Sequence, residues 1–320
     1  MIVRFGYVAM SATLKDCSPS KTITAANLIK IDSERRRLAR LSSLARENLN
    51  NTQRLFYHNK GHDIQVFRLT SKLIPLATHP LTKNWDWFAD VNEQLEALGD
   101  FAREHNLRLS AHPDHFTLLN SPKEEVTEAA IRDLHYHLRI FEGMGLDTSA
   151  KLVLHVGGSY GNKKESIQRF KNTYQCLAPE LKSRIILEND DKIYTAREVL
   201  ELCQQLAIPM ALDIHHHWCN HQGENLIEYL PDIFATWEKE PFAPKVHVSS
   251  PKTEKDFRSH ADYVDVNFFL EFLKAAGTVG QDFDVMIEAK QKDEALFRLI
   301  RELKKVPFIK LINEASLMIE

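Results

Sequence analysis

The chain has 320 residues, of which 43% are hydrophobic and 27% charged, and its formal net charge is −3. This length is enough for one large α/β domain or two smaller ones, and the acidic balance excludes a globally basic nucleic-acid-binding surface. The sequence contains no run of about 18 apolar residues, so no membrane span is predicted. The N-terminus lacks a signal-peptide pattern. The four cysteines have no C-x-x-C spacing, which favours reduced thiols in a cytoplasmic protein.

Eight segments have the near-continuous Val, Ile and Leu content of strands that are covered on both faces. In chain order they are 4–10, 64–73, 108–113, 151–159, 184–190, 208–217, 244–250 and 283–290. Amphipathic helical segments alternate with them, at 32–48, 85–105, 124–144, 164–177, 195–206, 224–238, 264–275 and 291–304. This alternation predicts βαβ units and a parallel sheet.

Eight such units over this length predict a single-domain α/β fold, a (β/α)8 TIM barrel over residues 1–305. A doubly wound open sheet is the alternative architecture. No G-x-G-x-x-G motif follows the first strand, however, so dinucleotide binding lacks support. Residues 306–320 are predicted to form a helical or irregular tail, to which the sequence assigns no role.

Six successive predicted strands end in a histidine or a carboxylate: His112, His155, Glu188, Asp213, His247 and Glu288. In a barrel these ends converge on the face that carries active sites. Burying three acids with several imidazoles costs several kcal/mol for each unpaired charge, and few cations are interspersed. Mixed imidazole and carboxylate ligands suit Zn, Mn or Fe. The pattern therefore predicts two or three divalent ions that share a bridging carboxylate.

Three histidines, His215 to His217, follow Asp213, and the residues alone do not decide which of them joins it. Strict alternation favours His215, but the strand is ending there and the parity can fail. A site with several ions suits phosphodiester hydrolysis. Basic residues just beyond the strand ends fit a polyanionic ligand: Lys163, Lys164, Lys192, Lys252, Lys255, Arg258, Lys290 and Lys292.

Several long motifs make the sequence similar to the UV damage endonuclease family over residues 2–305. Among them are RFGYVAMS, PLATHP, HVGGSYGNK, LENDDK, PKVHVSSPK and MIEAKQKD. The resemblance implies a TIM barrel related to endonuclease IV, with up to three metal ions, usually manganese. It also implies nicking of double-stranded DNA immediately 5′ to cyclobutane pyrimidine dimers and 6-4 photoproducts, and we expect the protein to be a monomer. Such cuts leave 3′-hydroxyl and 5′-phosphate ends and initiate excision repair.

The resemblance also implies roles for single residues. The implied ligands are His112, His155 and Glu188 for one ion, Glu188, Asp213, His247 and Glu288 for a second, and His216 with His260 for a third. Four of these are also implied to be catalytic, together with a lysine that can be carboxylated into an anionic ligand: Glu188, Asp213, His247, Glu288 and Lys245.

Three further residues are implied to contact the lesion. Tyr7 would line the pocket of the damaged nucleotides, and His115 with Phe116 would wedge into the duplex. The family commonly has HPNQF or HPNQY where this chain has HPDHF. His115 thus replaces an amide with a titratable ring and Asp114 adds a negative charge, so we expect a different lesion preference or pH dependence.

Three other functions fit parts of the same pattern. A sugar isomerase or epimerase of the same barrel type also places Glu, Asp and His around divalent metals. A damage-sensing binding module would keep the metals for structure and would bind DNA without nicking it. An abasic-site endonuclease would share the site but prefer abasic DNA.

Overall fold

Eight parallel strands close into a barrel in the computed structural model, which describes residues 1–320. In chain order they are β1 (Ile2–Val8), β2 (Val66–Leu69), β3 (Arg108–Ala111), β4 (Lys151–His155), β5 (Ile185–Glu188), β6 (Met210–Asp213), β7 (Lys245–Val248) and β8 (Phe283–Ile287). Each strand pairs with the next, and β1 pairs with both β8 and β2, which closes the sheet. The predicted TIM barrel is confirmed.

Helices surround the barrel. They are α1 (Ala25–Ile29), α2 (Glu34–Gly61), α3 (Trp87–Glu104), α4 (Glu124–Gly143), α5 (Lys163–Cys176), α6 (Pro179–Lys182), α7 (Ala196–Leu206), α8 (Ile214–Cys219), α9 (Leu230–Ala235), α10 (Val266–Val279) and α11 (Lys292–Leu303). Helix α2 is longer than the predicted 32–48, because Leu49, Leu55 and Phe56 continue its buried face. None of these helices has the length and apolar content required to cross a bilayer.

The barrel interior is built in layers, because every second side chain of a strand points inward. The lowest layer is ionic: Arg108 donates to Asp284 at 2.5 Å, and Arg4 donates to the same carboxylate at 2.7 Å. Above it lies an apolar layer that includes Val153, Ile186, Ala211 and Met286. The polar strand ends form the uppermost layer, and Lys245 lies in the layer below them.

The C-terminal residues form a hairpin, not the predicted helical or irregular tail. Strands β9 (Ile309–Asn313) and β10 (Ser316–Ile319) pair with each other, and β10 adds to β1 in antiparallel register. The prediction was wrong because alternation in so short a segment is a weak signal, and pairing with the first strand is a long-range contact. The hairpin joins Ile2–Arg4, at the end of the barrel opposite the polar strand ends.

We expect Leu317→Ala to lower the free energy of unfolding by about 2–5 kcal/mol, because Leu317 is fully buried between the hairpin and the barrel. The matched control is Leu311→Ala, in the same hairpin but 49% exposed, for which we expect a change below about 0.5 kcal/mol. Denaturant unfolding followed by circular dichroism measures both. Equal effects of the two substitutions would contradict a structural role for the hairpin.

Candidate metal centre

The uppermost interior layer brings together acids and imidazoles from the ends of β3 to β8. The six residues predicted from the strand ends form two groups: His112, His155 and Glu188 in one, and Glu188, Asp213, His247 and Glu288 in the other. Within each group, the candidate ligand atoms all lie within 4.8 Å of one another. The strand register places His155 level with Glu188, and Asp213 level with His247.

Glu188 is the residue that both groups share. Its Oε2 atom lies 3.1 Å from His112 Nε2 and 3.7 Å from His155 Nε2. Its Oε1 atom lies 2.9 Å from His247 Nδ1, on the side of the second group. The carboxylate is 1% exposed. Each of its oxygens therefore faces a different set of imidazoles, which is the arrangement of a carboxylate that can bridge two ions.

Helix α8 decides which histidine after Asp213 reaches the cluster. Asp213 ends β6 and caps the helix, and its Oδ1 accepts a hydrogen bond from the backbone N–H of His216 at 2.7 Å. The helical turn brings His216 back to within 3.6 Å of Glu188 Oε1. His215, favoured by strict alternation, is instead buried between Ser249 and the carbonyl of Phe257. Alternation fails because the strand ends at Asp213.

Three histidine rings are held in one tautomer by backbone carbonyls. The Nδ1–H group donates to Pro113 O in His112, to Asn189 O in His216 and to Glu288 O in His260, at 2.8–2.9 Å. In the neutral form of each ring the Nε2 atom then carries the lone pair, as in histidines that ligate metals. His216 and His260 belong to neither ligand group, and their ring centroids lie 6.2 Å apart.

The charges within the cluster depend strongly on one another. Burial would raise the pKa of Glu188, but His247 and His155 outweigh it and hold the pKa well below the ordinary value. Burial dominates at Asp213 and raises its pKa. Burial lowers the pKa of His247, but the charge of Glu188 and hydrogen bonds to Glu188 and Glu288 raise it to about 9. Without metal, imidazolium–carboxylate pairs therefore hold part of the cluster together.

Three buried polar atoms of the cluster have no hydrogen-bond partner: Asp213 Oδ2, His155 Nδ1 and His247 Nε2. Each such atom costs about 1–3 kcal/mol when it is left unpaired, so native proteins seldom retain several together. A divalent cation removes this cost, and mixed imidazole and carboxylate donors are ligands that transition metals accept. The residues present therefore fit divalent metal ions.

We expect the apparent affinity for Mn²⁺ to rise with pH. Burial opposes the protonated forms of His216 and His247, but the neighbouring carboxylates raise both pKa values to about 9. A metal must displace these protons below pH 9, so affinity should increase by up to roughly tenfold per pH unit for each proton displaced. Calorimetric Mn²⁺ titrations at several pH values measure the effect. An affinity that stays constant or falls between neutral pH and about 9 would contradict it.

Lys245 lies one layer below the ligands, two residues before His247 on the same strand. Its Nζ donates to Ser110 Oγ at 2.9 Å, and it belongs to neither ligand group. Burial, reinforced by the charge of Arg108, lowers its pKa well below the ordinary value. The structure thus places the amine beneath the metal centre and not among the ligands.

The structure places the three candidate lesion contacts in two different environments. His115 and Phe116 lie in the loop after β3 with 75% and 71% of their side chains exposed, and their ring centroids are 3.9 Å apart. His115 Nδ1 lies 2.7 Å from a carboxylate oxygen of Asp114. Tyr7 is fully buried, and its hydroxyl donates to Asn59 of α2 at 2.6 Å. This corrects the prediction for Tyr7, whose side chain faces the helices because of its position in β1.

One charged neighbour of the cluster was missed from the sequence. Arg68, in β2, donates a short hydrogen bond to Glu288 Oε1. A single arginine in the segment FRLT is typical of a solvent-facing position in an alternating strand, so the sequence held no signal for it.

A family model described as UV-endonuclease UvdE matches residues 3–319. The UV DNA damage endonuclease of Bacillus cereus (strain G9842) is 44% identical over 317 residues, which cover 99% of each chain. The crystal structure of SacUVDE superposes with a TM-score of 0.83 at 30% identity, over 95% of this chain and 98% of that one. Endonuclease IV from Thermus thermophilus is similar in fold, with a TM-score of 0.55 at 14% identity over 95% of this chain and 100% of that one.

Proposed function

The chain belongs to the UV-endonuclease UvdE family and is a UV DNA damage endonuclease, and from this premise we propose that it nicks double-stranded DNA immediately 5′ to UV photoproducts by metal-dependent hydrolysis. The proposed lesions are cyclobutane pyrimidine dimers and 6-4 photoproducts, and the proposed products carry 3′-hydroxyl and 5′-phosphate ends. The observation that carries the proposal is the buried Glu188 carboxylate, shared by two ligand groups at the open end of the barrel.

The metal ligands follow from the two groups. His112, His155 and Glu188 would hold one ion, and Glu188 would share a second with Asp213, His247 and Glu288. We propose His216 and His260 as ligands of a third ion, because carbonyl hydrogen bonds leave their Nε2 atoms free. We propose manganese as the metal, which would supply Lewis-acid stabilisation of the developing charge and would lower the pKa of water.

Protein side chains would select the lesion. Phe116 and His115 project from the barrel face as an exposed pair of rings, which suits insertion into a base stack. Bases at a photoproduct are already poorly paired, so extruding them costs less than extruding intact bases. The lower cost of extrusion would make the enzyme selective for damaged sites. The rings of His115 and Phe116 would then hold the opened strand over the metal ligands.

We also propose that Lys245 is carboxylated. The amine is buried among Arg4, Arg68 and Arg108, with Asp284 as the acidic neighbour. These surroundings favour the neutral amine, which is the form that reacts with carbon dioxide, and an anionic carbamate would offset the excess positive charge. Native mass spectrometry should show the added mass of one carbon dioxide, which Lys245→Met should lack.

The test of the proposed function is incision of a duplex oligonucleotide that carries one cyclobutane dimer. With Mn²⁺ we expect one cut at the 5′ side of the dimer, mapped by the length and end groups of the products, and none with EDTA. Undamaged and uracil-excised duplexes are the controls. Binding without cutting would favour the binding module, and faster cutting of the uracil-excised duplex would favour the abasic endonuclease.

Family membership leaves no support for the sugar isomerase or epimerase alternative. We further propose that residues 1–305 carry the catalytic barrel, because every candidate ligand lies between His112 and Glu288, while the hairpin of β9 and β10 adds to β1. Monomeric assembly and a cytoplasmic location stay predictions.

A further inference from the structure

A second feature of the metal centre is a pair of cations at one side of it. The candidate ligands come from β3 to β8 and the loops after them, so the ligand arc is open across β1 and β2. Arg68 lies on β2, and Lys292 begins α11, just after β8. Arg68 therefore lies within the opening and Lys292 beside it, and neither is a candidate metal ligand.

Arg68 has an acidic partner. Its guanidinium is hydrogen-bonded to Glu288 Oε1, and both side chains are largely buried, with 13% and 10% exposed. The same oxygen lies 3.1 Å from His247 Nδ1. Arg68 therefore holds one oxygen of Glu288 in place. Because a guanidinium has five N–H groups, others remain available to donate to a ligand.

Lys292 has no acidic partner. It is only partly exposed, and its ammonium forms no ion pair or hydrogen bond within the protein, although the charges of Arg68 and Glu288 both act on it. Its backbone has φ = +50°, a left-handed conformation that costs free energy for a residue with a side chain. Lys292 is thus an unpaired cation on a backbone of restricted conformation.

The next residue explains how this backbone is fixed. Asp293 is fully buried and accepts hydrogen bonds from Ala12 N and Thr13 Oγ1, both at 2.6 Å, and lies 3.0 Å from His58 Nε2. These contacts join the loop after β1 and helix α2 to the start of α11. These contacts hold the backbone next to Lys292 in place, so the Lys292 side chain extends from a fixed position.

We propose that Arg68 and Lys292 form an oxyanion site that binds a non-bridging oxygen of a DNA phosphate at the edge of the metal centre. The assignment rests on the proposed function, which brings a phosphodiester to this face. Lys292 supplies an ammonium group that has no direct partner in the protein, and Arg68 supplies both a donor to the phosphate and the anchor for Glu288. A phosphate oxygen is a fitting ligand because it is an anionic acceptor, for which guanidinium and ammonium groups are strong hydrogen-bond donors.

The test measures how the binding of a dimer-containing duplex depends on salt, in EDTA so that no strand is cut. We compare wild type with Lys292→Met, which removes the charge, and with Lys292→Gly, which also relieves the left-handed backbone and so protects folding. The control is Lys305→Met, an exposed lysine near the other end of α11. Fluorescence anisotropy at several salt concentrations gives the slope of log affinity against log salt.

We expect both Lys292 variants to make that negative slope shallower by about 0.9, which is the value for one phosphate contact. Lys305→Met should leave the slope unchanged. Arg68→Met should lower the slope as well and should also weaken Mn²⁺ binding, because Glu288 loses its anchor. Slopes equal to wild type in both Lys292 variants would overturn the proposal, as would no measurable binding by wild type at low salt. If wild type does not cut the dimer duplex in Mn²⁺, the proposed function fails instead.

Discussion

Glu188→Gln should abolish most incision of UV-irradiated plasmid, with an expected loss of roughly 10³-fold. The amide has nearly the same shape as the carboxylate but lacks its negative charge. It also presents an NH₂ group to the imidazoles that face carboxylate oxygens in the wild type. Metal ions supply several kcal/mol of charge stabilisation in such reactions, and each 1.4 kcal/mol corresponds to about tenfold in rate. Conversion of supercoiled to nicked plasmid measures the loss.

Metal content distinguishes this explanation from a simple loss of fold. Because Glu188 belongs to both ligand groups, the substitution should lower the number of manganese ions bound per protein molecule by more than one. Elemental analysis after dialysis measures this number. Glu96→Gln is the matched control, on the exposed surface of α3, and should change neither activity nor metal content. Full activity of Glu188→Gln would refute the proposed metal centre.

Phe116→Ala should weaken binding to dimer-containing duplex by about 1–3 kcal/mol, because stacking of one base on an aromatic ring contributes that much. The expected decrease in affinity is roughly 5- to 150-fold. Binding to undamaged duplex should change little, since the wedge acts where the stack is already open. Competition between damaged and undamaged duplexes in EDTA measures the loss of selectivity.

The position of Phe116 makes the result easy to interpret. The side chain is 71% exposed and belongs to neither ligand group, so its removal should leave unfolding and metal content unchanged. Tyr57→Ala is a suitable control, because Tyr57 is 60% exposed on α2 and not in a loop at the strand ends. Equal loss of selectivity in both variants would assign the effect to general surface changes and not to a wedge.

The alternation of apolar strands with amphipathic helices determined the barrel from the sequence alone. Strands covered on both faces need apolar residues throughout, and eight such segments separated by helices leave few other architectures. The same pattern located the metal centre, because a barrel brings the ends of its strands to one face. His112, Glu188 and Glu288 could therefore be grouped although they are far apart in the chain.

Only the tertiary structure decided which way individual side chains point. When a strand is apolar on both faces, its sequence does not show which alternate residues point into the barrel. The inward face of β1 and the burial of Tyr7 therefore could not be predicted from the sequence. His216 reaches the cluster because a helix begins right after Asp213, and a change of period at a strand end leaves no clear pattern. Arg68 meets Glu288 only when the barrel closes, because contacts across a closed sheet depend on register and not on local composition.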